Sequence, residues 1–281
     1  MRFRNGSWEL YAETFGAARD PALLLLHGAG NSMTAWDAEL CERLAAQGRY
    51  VIRLDSREAG KSARADAPGA YSLDDLAADV VACLDTLELP AATLAGVSQG
   101  GMTAQIVAVE HPDRVDGLVL ISTTVLGDDD LPGPDAGLFS GGPEPPDWSD
   151  RAAVVRYLVE LERPYGGDTF DEELMTRIAD KAADHADDLA TQLSHPFEVR
   201  TGDLVRDRLG EIRAPTVVVH GTADPMFPLA HGRALAAAIP GARLLALDGF
   251  GHAALPRRFW PELLAAMPGP SPPAGARARR T

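Results

Sequence analysis

The chain of 281 residues is poor in cysteine, in aromatic residues and in basic charge. Its two cysteines, Cys41 and Cys83, allow one disulfide at most, which excludes a cysteine-stapled secreted scaffold and points to reduced core thiols. The longest apolar runs, such as Ala22–Leu26 and Leu118–Ile121, fall far short of the ~18 residues a membrane span requires. Nor does the opening Met1-Arg2-Phe3-Arg4-Asn5-Gly6 lead into an apolar export segment. Lys and Arg number 26 against 41 Asp and Glu, and the net charge of −15 repels phosphate backbones and anionic membranes. The expectation is a cytoplasmic protein with neither nucleic-acid nor membrane partners; no pattern speaks to its oligomeric state. With 46% apolar and 24% charged residues, disorder and fibrous structure are excluded as well.

What the sequence does have is a rhythm. Short unalternating runs recur at Ala22–Leu26, Tyr50–Leu54, Ala92–Ala95, Leu118–Ile121, Thr216–Val219 and Leu244–Leu247, as expected of strands buried on both faces of a parallel sheet. Between them lie helical spacings: Trp36, Leu40, Leu44; Leu73, Leu76, Ala77, Val80, Leu84, Leu87 behind a capping Ser72; and Met102, Ile106, Val109. The alternation predicts an α/β fold with a mostly parallel, doubly wound sheet, whose ligands collect at the carboxyl ends of the strands. It breaks after Ile121, where Leu126–Pro146 is crowded with Gly, Pro and Asp and helical patterns without strands follow to about Leu209. We therefore expect core segments at 1–126 and 201–267 around an inserted helical cap at 127–200. Residues 268–281, which lack large apolar side chains, are expected to form a disordered tail.

Gly96-Val97-Ser98-Gln99-Gly100 fits G-x-S-x-G between a buried strand and a helix, a tight turn that lifts the serine hydroxyl above the sheet edge. A serine needs a base to become a nucleophile, and the base needs an orienting carboxylate. Two strand-end loops supply candidates, His220-Gly221-Thr222-Ala223-Asp224-Pro225 and Asp248-Gly249-Phe250-Gly251-His252. The order Ser98, Asp224, His252 is the one this chemistry uses with such an elbow. The bend before His252 swings its imidazole over the sheet, a placement that His27, His111, His185, His195, His220 and His231 lack. Asp224 is the preferred acid; its rival is Asp128-Asp129-Asp130, which also follows a strand, and Asp224 and Asp248 each have a plain explanation as turn residues. For an oxyanion, the expected donors are the backbone amides of Gln99 and of Ala29, in a loop that Gly28 and Gly30 allow to fold against the substrate.

These motifs together resemble the α/β-hydrolase superfamily over nearly the whole chain apart from the cap and tail. Leu26-His27-Gly28-Ala29-Gly30 is similar to its oxyanion loop, Asp55-Ser56-Arg57-Glu58-Ala59-Gly60-Lys61-Ser62 to its D-x-R-x-x-G-x-S turn, and the loops ending in Asp224 and His252 to its acid and base loops. Departures are Gln99, where many members carry methionine, and Glu58, where glycine is common. The overall pattern looks most like methylesterases acting on anthracycline-type aromatic polyketides, and next like carboxylesterases and enol-lactonases. The resemblance implies an α/β-hydrolase fold and a serine esterase that needs no metal or organic cofactor and acts on a small-molecule ester. Asp55 and Arg57 are read as structural props of the loop beneath the site. Gly28, Trp36, Phe227 and Phe250 are expected at the substrate, joined from the cap by Phe139, Trp148, Tyr157, Tyr165 and Phe170. Lactone, thioester or carbon–carbon cleavage, cyclisation, and non-catalytic ligand binding remain alternatives on the same scaffold.

Overall fold

A computed structural model describes residues 1–127, 130–202 and 205–269. In chain order the elements are β1 (Arg2–Asn5), β2 (Trp8–Phe15), β3 (Ala22–Leu26), α1 (Ala38–Ala46), β4 (Tyr50–Asp55), α2 (Leu73–Thr86), β5 (Ala92–Val97), α3 (Gln99–Glu110) and β6 (Val115–Ile121). They continue with α4 (Arg151–Glu162), α5 (Glu172–His185), α6 (Leu189–Gln192), β7 (Thr216–Gly221), α7 (Ala230–Ala238), β8 (Arg243–Leu247) and α8 (Trp260–Ala266). The eight strands form one sheet in the order β1-β2-β4-β3-β5-β6-β7-β8. Every pair from β4 onward in that order is parallel, whereas β2 runs antiparallel to both β1 and β4.

The pleat of the central strands sends alternate side chains into two apolar layers. Leu24 and Leu26 join α2, α3 and α7 on one face; Leu23 and Leu25 join α1 and α8 on the other. Residues of α4 and α5, including Leu158, Leu174 and Ile178, extend the second layer. The N-terminus of α2 is fixed by a reciprocal cap: Ser72 Oγ accepts from the Asp75 amide at 3.3 Å, and Asp75 Oδ2 accepts from the Ser72 amide at 2.8 Å. Cys41 and Cys83 are buried free thiols, each pushed up by burial to about 12. Among the described residues no helix is long and apolar enough to cross a membrane.

Every apolar run singled out in the sequence is a strand, but Leu244–Leu247 lacks the two-sided burial expected of it. It lies in β8, at the edge of the sheet, where Arg243 and Ala246 face solvent. The β1–β2 hairpin escaped the reading because its outward residues, such as Arg2, Arg4 and Glu9, interrupt any apolar run; its inward Phe3, Leu10 and Ala12 are buried. At the other end, Pro268 belongs to the core rather than to a tail. It packs at Gly117, and its carbonyl accepts a hydrogen bond from Arg49. The rest of the expected tail from residue 270, like Asp128 and Asp129, lies outside the described residues.

Arg57 anchors the turn after β4. It forms a two-pronged pair with Asp79 of α2, Nε to Oδ2 at 2.7 Å and Nη2 to Oδ1 at 2.9 Å, with both side chains at 5% exposure or less. Asn5 Nδ2 donates to Asp79 Oδ1 at 2.8 Å, and the guanidinium lies over the Trp8 ring at 4.6 Å. Burial pushes the Asp79 carboxyl up, and the Arg57 guanidinium opposes it. Removing one partner leaves the other buried charge without its closest counter-charge, since the next acid to Arg57, Asp75, stands at 3.6 Å. Asp79→Ala is therefore expected to cost about 3–5 kcal/mol in urea unfolding. Pairing Asp79→Leu with Arg57→Met should recover most of that loss, and a loss below about 1 kcal/mol for Asp79→Ala would refute the argument.

Candidate active site

The sheet order reverses about β3, which has β4 on one side and β5 on the other, so the loops after β3 and β5 part and leave a crevice at their carboxyl ends. Ser98 stands there, between β5 and α3, with φ 52° and ψ −118°. A non-glycine residue in this region is strained, by about 1–3 kcal/mol, and needs a surrounding that holds it. The holding contacts are the Ser98 amide donating to the Ile121 carbonyl at 3.0 Å and Thr123 Oγ1 donating to the Ser98 carbonyl at 2.8 Å. The flanking glycines are required by close approach. A Cβ on Gly96 would collide with the Gly100 carbonyl, and one on Gly100 would lie 2.5 Å from the Leu26 carbonyl oxygen. The Ser98 hydroxyl makes no capping bond to α3.

Instead, Ser98 Oγ lies 3.0 Å from His252 Nε2. His252 Nδ1 lies 2.9 Å from Asp224 Oδ2 and 3.1 Å from Oδ1. Asp224 is also the turn residue that the sequence suggested, since its Oδ1 accepts from the amides of Met226 at 2.9 Å and Phe227 at 2.8 Å. Burial alone pushes its carboxyl up, but the His252 hydrogen bond and charge, the Phe227 amide and His220 together hold it below the usual carboxylate value. Of the rival acids, Asp130 is 95% exposed and lies near Arg206, while Asp248 accepts from Thr222 Oγ1 at 3.2 Å.

The loop after β3 is set by His27, whose Nε2 accepts from the Ser56 amide at 3.1 Å, leaving Nδ1 to donate to the Gly28 carbonyl at 2.8 Å. Burial lowers this imidazole below its usual value, in keeping with a neutral ring. The loop then passes so close to Ser98 that a Cβ on Gly28 would lie 3.3 Å from the Ser98 Cβ. Among the described residues, the amides of Ala29 and Gln99 donate to no other group.

A cavity of about 320 Å³ opens beside Ser98 and His252. Gly28, Trp36 and Phe250 lie on its wall, as do Phe139 and Tyr165. Phe227 does not; tied through its amide to Asp224, it sets its ring edge-on to His252 at 5.2 Å. Trp148 and Tyr157 meet edge to face with ring centroids 5.7 Å apart, and Phe170 lies beneath the Arg163 guanidinium; none of the three lies on the wall. Among the described residues no Lys or Arg contributes to the wall, whose carboxyl groups come from Asp37 and Glu162.

Several contacts were not legible beforehand. His220, passed over among the histidines, is buried with Nε2 2.7 Å from the Phe227 carbonyl and 3.7 Å from Asp224 Oδ2, behind the acid's turn. Asp55 accepts from the Met33 and Lys61 amides and meets His185 Nε2 at 2.6 Å; Glu58 meets His195 Nδ1 at 2.9 Å. Gln99, the odd residue of the elbow, donates through Nε2 to the Pro196 carbonyl at 2.8 Å. These three contacts fasten the stretch between β6 and β7 over the strand ends.

Comparison with known proteins agrees with this fold. A family model described as the alpha/beta hydrolase fold matches residues 21–257. Rhodomycin D methylesterase DauP of Streptomyces sp. (strain C5) is 32% identical, over 92% of this chain and 93% of its own length. Rhodomycin D methylesterase DnrP of Streptomyces peucetius is also 32% identical, over 94% of this chain and 95% of its own. The crystal structure of an enol-lactonase from Burkholderia xenovorans LB400 superposes with a TM-score of 0.69 at 26% identity, covering 93% of this chain and 96% of that one. Reaching from the strand before the oxyanion-type loop to beyond His252, the match shows that the chain belongs to the alpha/beta hydrolase family.

Proposed function

We propose that the protein is a serine hydrolase that cleaves a carboxylic ester through an acyl-enzyme. The observation that carries this reading is the unbroken chain Ser98 Oγ, His252 and Asp224 at the mouth of a largely apolar cavity. With its proton on Nδ1, facing the Asp224 carboxylate, His252 presents Nε2 as the acceptor for the Ser98 proton. The serine oxygen then attacks the ester carbonyl, and the amides of Ala29 and Gln99 hold the developing oxyanion. Collapse expels the alcohol, which takes the proton from His252. Water, activated by the same imidazole, then releases the acid and restores Ser98.

The relatives named as rhodomycin D methylesterases favour a methyl ester of a hydrophobic, polyketide-like molecule. A lactone, which is an ester closed on itself, suits the same groups, and an enol-lactonase is among the similar structures. A thioester on an acidic carrier protein fits less well, since the −15 charge would oppose its approach. A serine at the elbow also speaks against chemistry that needs a carboxylate nucleophile there.

The purified chain is expected to hydrolyse p-nitrophenyl butyrate and to be silenced by a fluorophosphonate, with the label found on Ser98 by peptide mass spectrometry. Turnover that persists after stoichiometric labelling, or a label on another residue, would overturn the reading. A panel of methyl esters, lactones and thioesters ranked by kcat/KM then assigns the substrate.

A further inference from the structure

Glu162 is an odd residue for its place. It ends α4, where the negative end of the aligned peptide dipoles disfavours an anion. It sits on the wall of a largely apolar cavity, and burial lifts its carboxyl above the usual range. Among the described residues its hydrogen-bond partner is the Asn31 amide, Nδ2 to Oε1 at 3.4 Å, and it forms no ion pair with Lys or Arg. Asp37, the other carboxyl on the wall, is matched by Arg177 Nε at 3.0 Å. Among the described residues, Glu162 is therefore an acid on the pocket wall with no Lys or Arg partner.

We infer that Glu162 sets charge selectivity in this pocket, admitting acyl groups that are neutral or carry an ammonium and rejecting those that carry a carboxylate. The inference rests on the ester-hydrolase reading and narrows its substrate class. With no Lys or Arg on the wall among the described residues, an anionic acyl chain finds no cationic side chain to pair with and lies beside an acid that itself lacks one. An ammonium there favours the ionised carboxylate that burial alone disfavours and pairs with it. The net charge of −15 acts in the same sense at long range. The same field favours turnover: the ester enters uncharged and its acid product, once ionised, is repelled.

The test uses p-nitrophenyl esters of equal chain length whose acyl ends are methyl, trimethylammonium or carboxylate. For the intact chain, kcat/KM for the carboxylate ester should fall at least about tenfold below that for the methyl ester, the scale of one like-charge contact at intermediate dielectric. Glu162→Gln, which keeps shape and can still meet Asn31, should shrink that gap severalfold and lower the ammonium-to-methyl ratio. Calorimetric binding of the matching ethyl esters to Ser98→Ala protein separates recognition from chemistry. If the intact chain hydrolyses none of the esters yet the Ser98→Ala chain binds them in the same charge order, the esterase reading fails and the Glu162 assignment stands. Equal handling of methyl and carboxylate chains, ratios unchanged by Glu162→Gln, or neither turnover nor binding of the methyl chain overturns the assignment.

Discussion

Replacing Ser98 with alanine is expected to lower kcat for a p-nitrophenyl ester by roughly 10⁶-fold, leaving only what the oxyanion amides and binding supply over water, about 10³–10⁴-fold. The geometry makes this variant informative because the Ser98 hydroxyl makes no capping bond to α3, so its loss touches the His252 contact and little else. Far-ultraviolet circular dichroism and the unfolding midpoint should stay close to those of the parent. Ser98→Gly extends the test. It removes the hydroxyl together with the Cβ that is strained at φ 52°, and so should be equally inactive but more stable by about 1 kcal/mol. An inactive variant that is stabilised is the signature of a side chain held in place for chemistry at a cost to the fold. Rapid turnover by either variant would end the nucleophile assignment.

The second large effect is expected at Asp224. Asn can still accept the Met226 and Phe227 amide hydrogens through its carbonyl oxygen, so the turn survives. Its NH₂ group, however, faces His252 Nδ1 as a donor and drives the imidazole proton to Nε2, where the ring cannot take the proton of Ser98. Asp224→Asn should therefore lose about 10⁴-fold in kcat with little change in KM. Asp130→Asn, at a side chain 95% exposed, should stay within about twofold of the parent. The reverse result, a silent Asp224→Asn and an inactive Asp130→Asn, would move the acid to the other loop. Stability carries a further mark. Asp224 is held below its reference value of 3.8, so the stability it contributes is fully present above that pH and is lost as pH falls through the lower folded value. The Asp224→Asn variant lacks this dependence and should show a shallower loss of stability on acidification below about pH 4.

The fold was legible because its central strands are buried on both faces and write themselves as unbroken apolar runs, while the elbow demands glycines that no packed side chain could replace. The order of Ser98, Asp224 and His252 was legible for a related reason: each stands in the loop that ends a strand, and chain order follows the winding of the sheet. The hairpin of β1 and β2 was not, since a sheet margin with one wet face needs only alternation, and Arg and Glu on its outer side hide that. The choice between Asp224 and its rivals was a question of distance, which loop sequences do not encode. His220 and Glu162 lay hidden for the same reason: one is defined by the turn it backs, the other by a cavity whose opposite wall is built more than a hundred residues away in sequence.

The fastening of the stretch between β6 and β7 over the strand ends separates two kinds of change. The proposed nucleophile, base, acid and Ala29 amide belong to loops that end strands of the sheet and the Gln99 amide to the first residue of α3, whereas Glu162, Tyr165, Leu174, Met175, Ile178 and Phe197 all come from that single stretch. Mutation can therefore diversify recognition within one contiguous block, most freely at positions outside the apolar layer that Leu174 and Ile178 share with the sheet. Grafting such blocks between relatives, cut where β6 ends and β7 begins, becomes a route to new substrate preferences provided the graft keeps the carbonyls that meet the His252 amide and the Gln99 side chain.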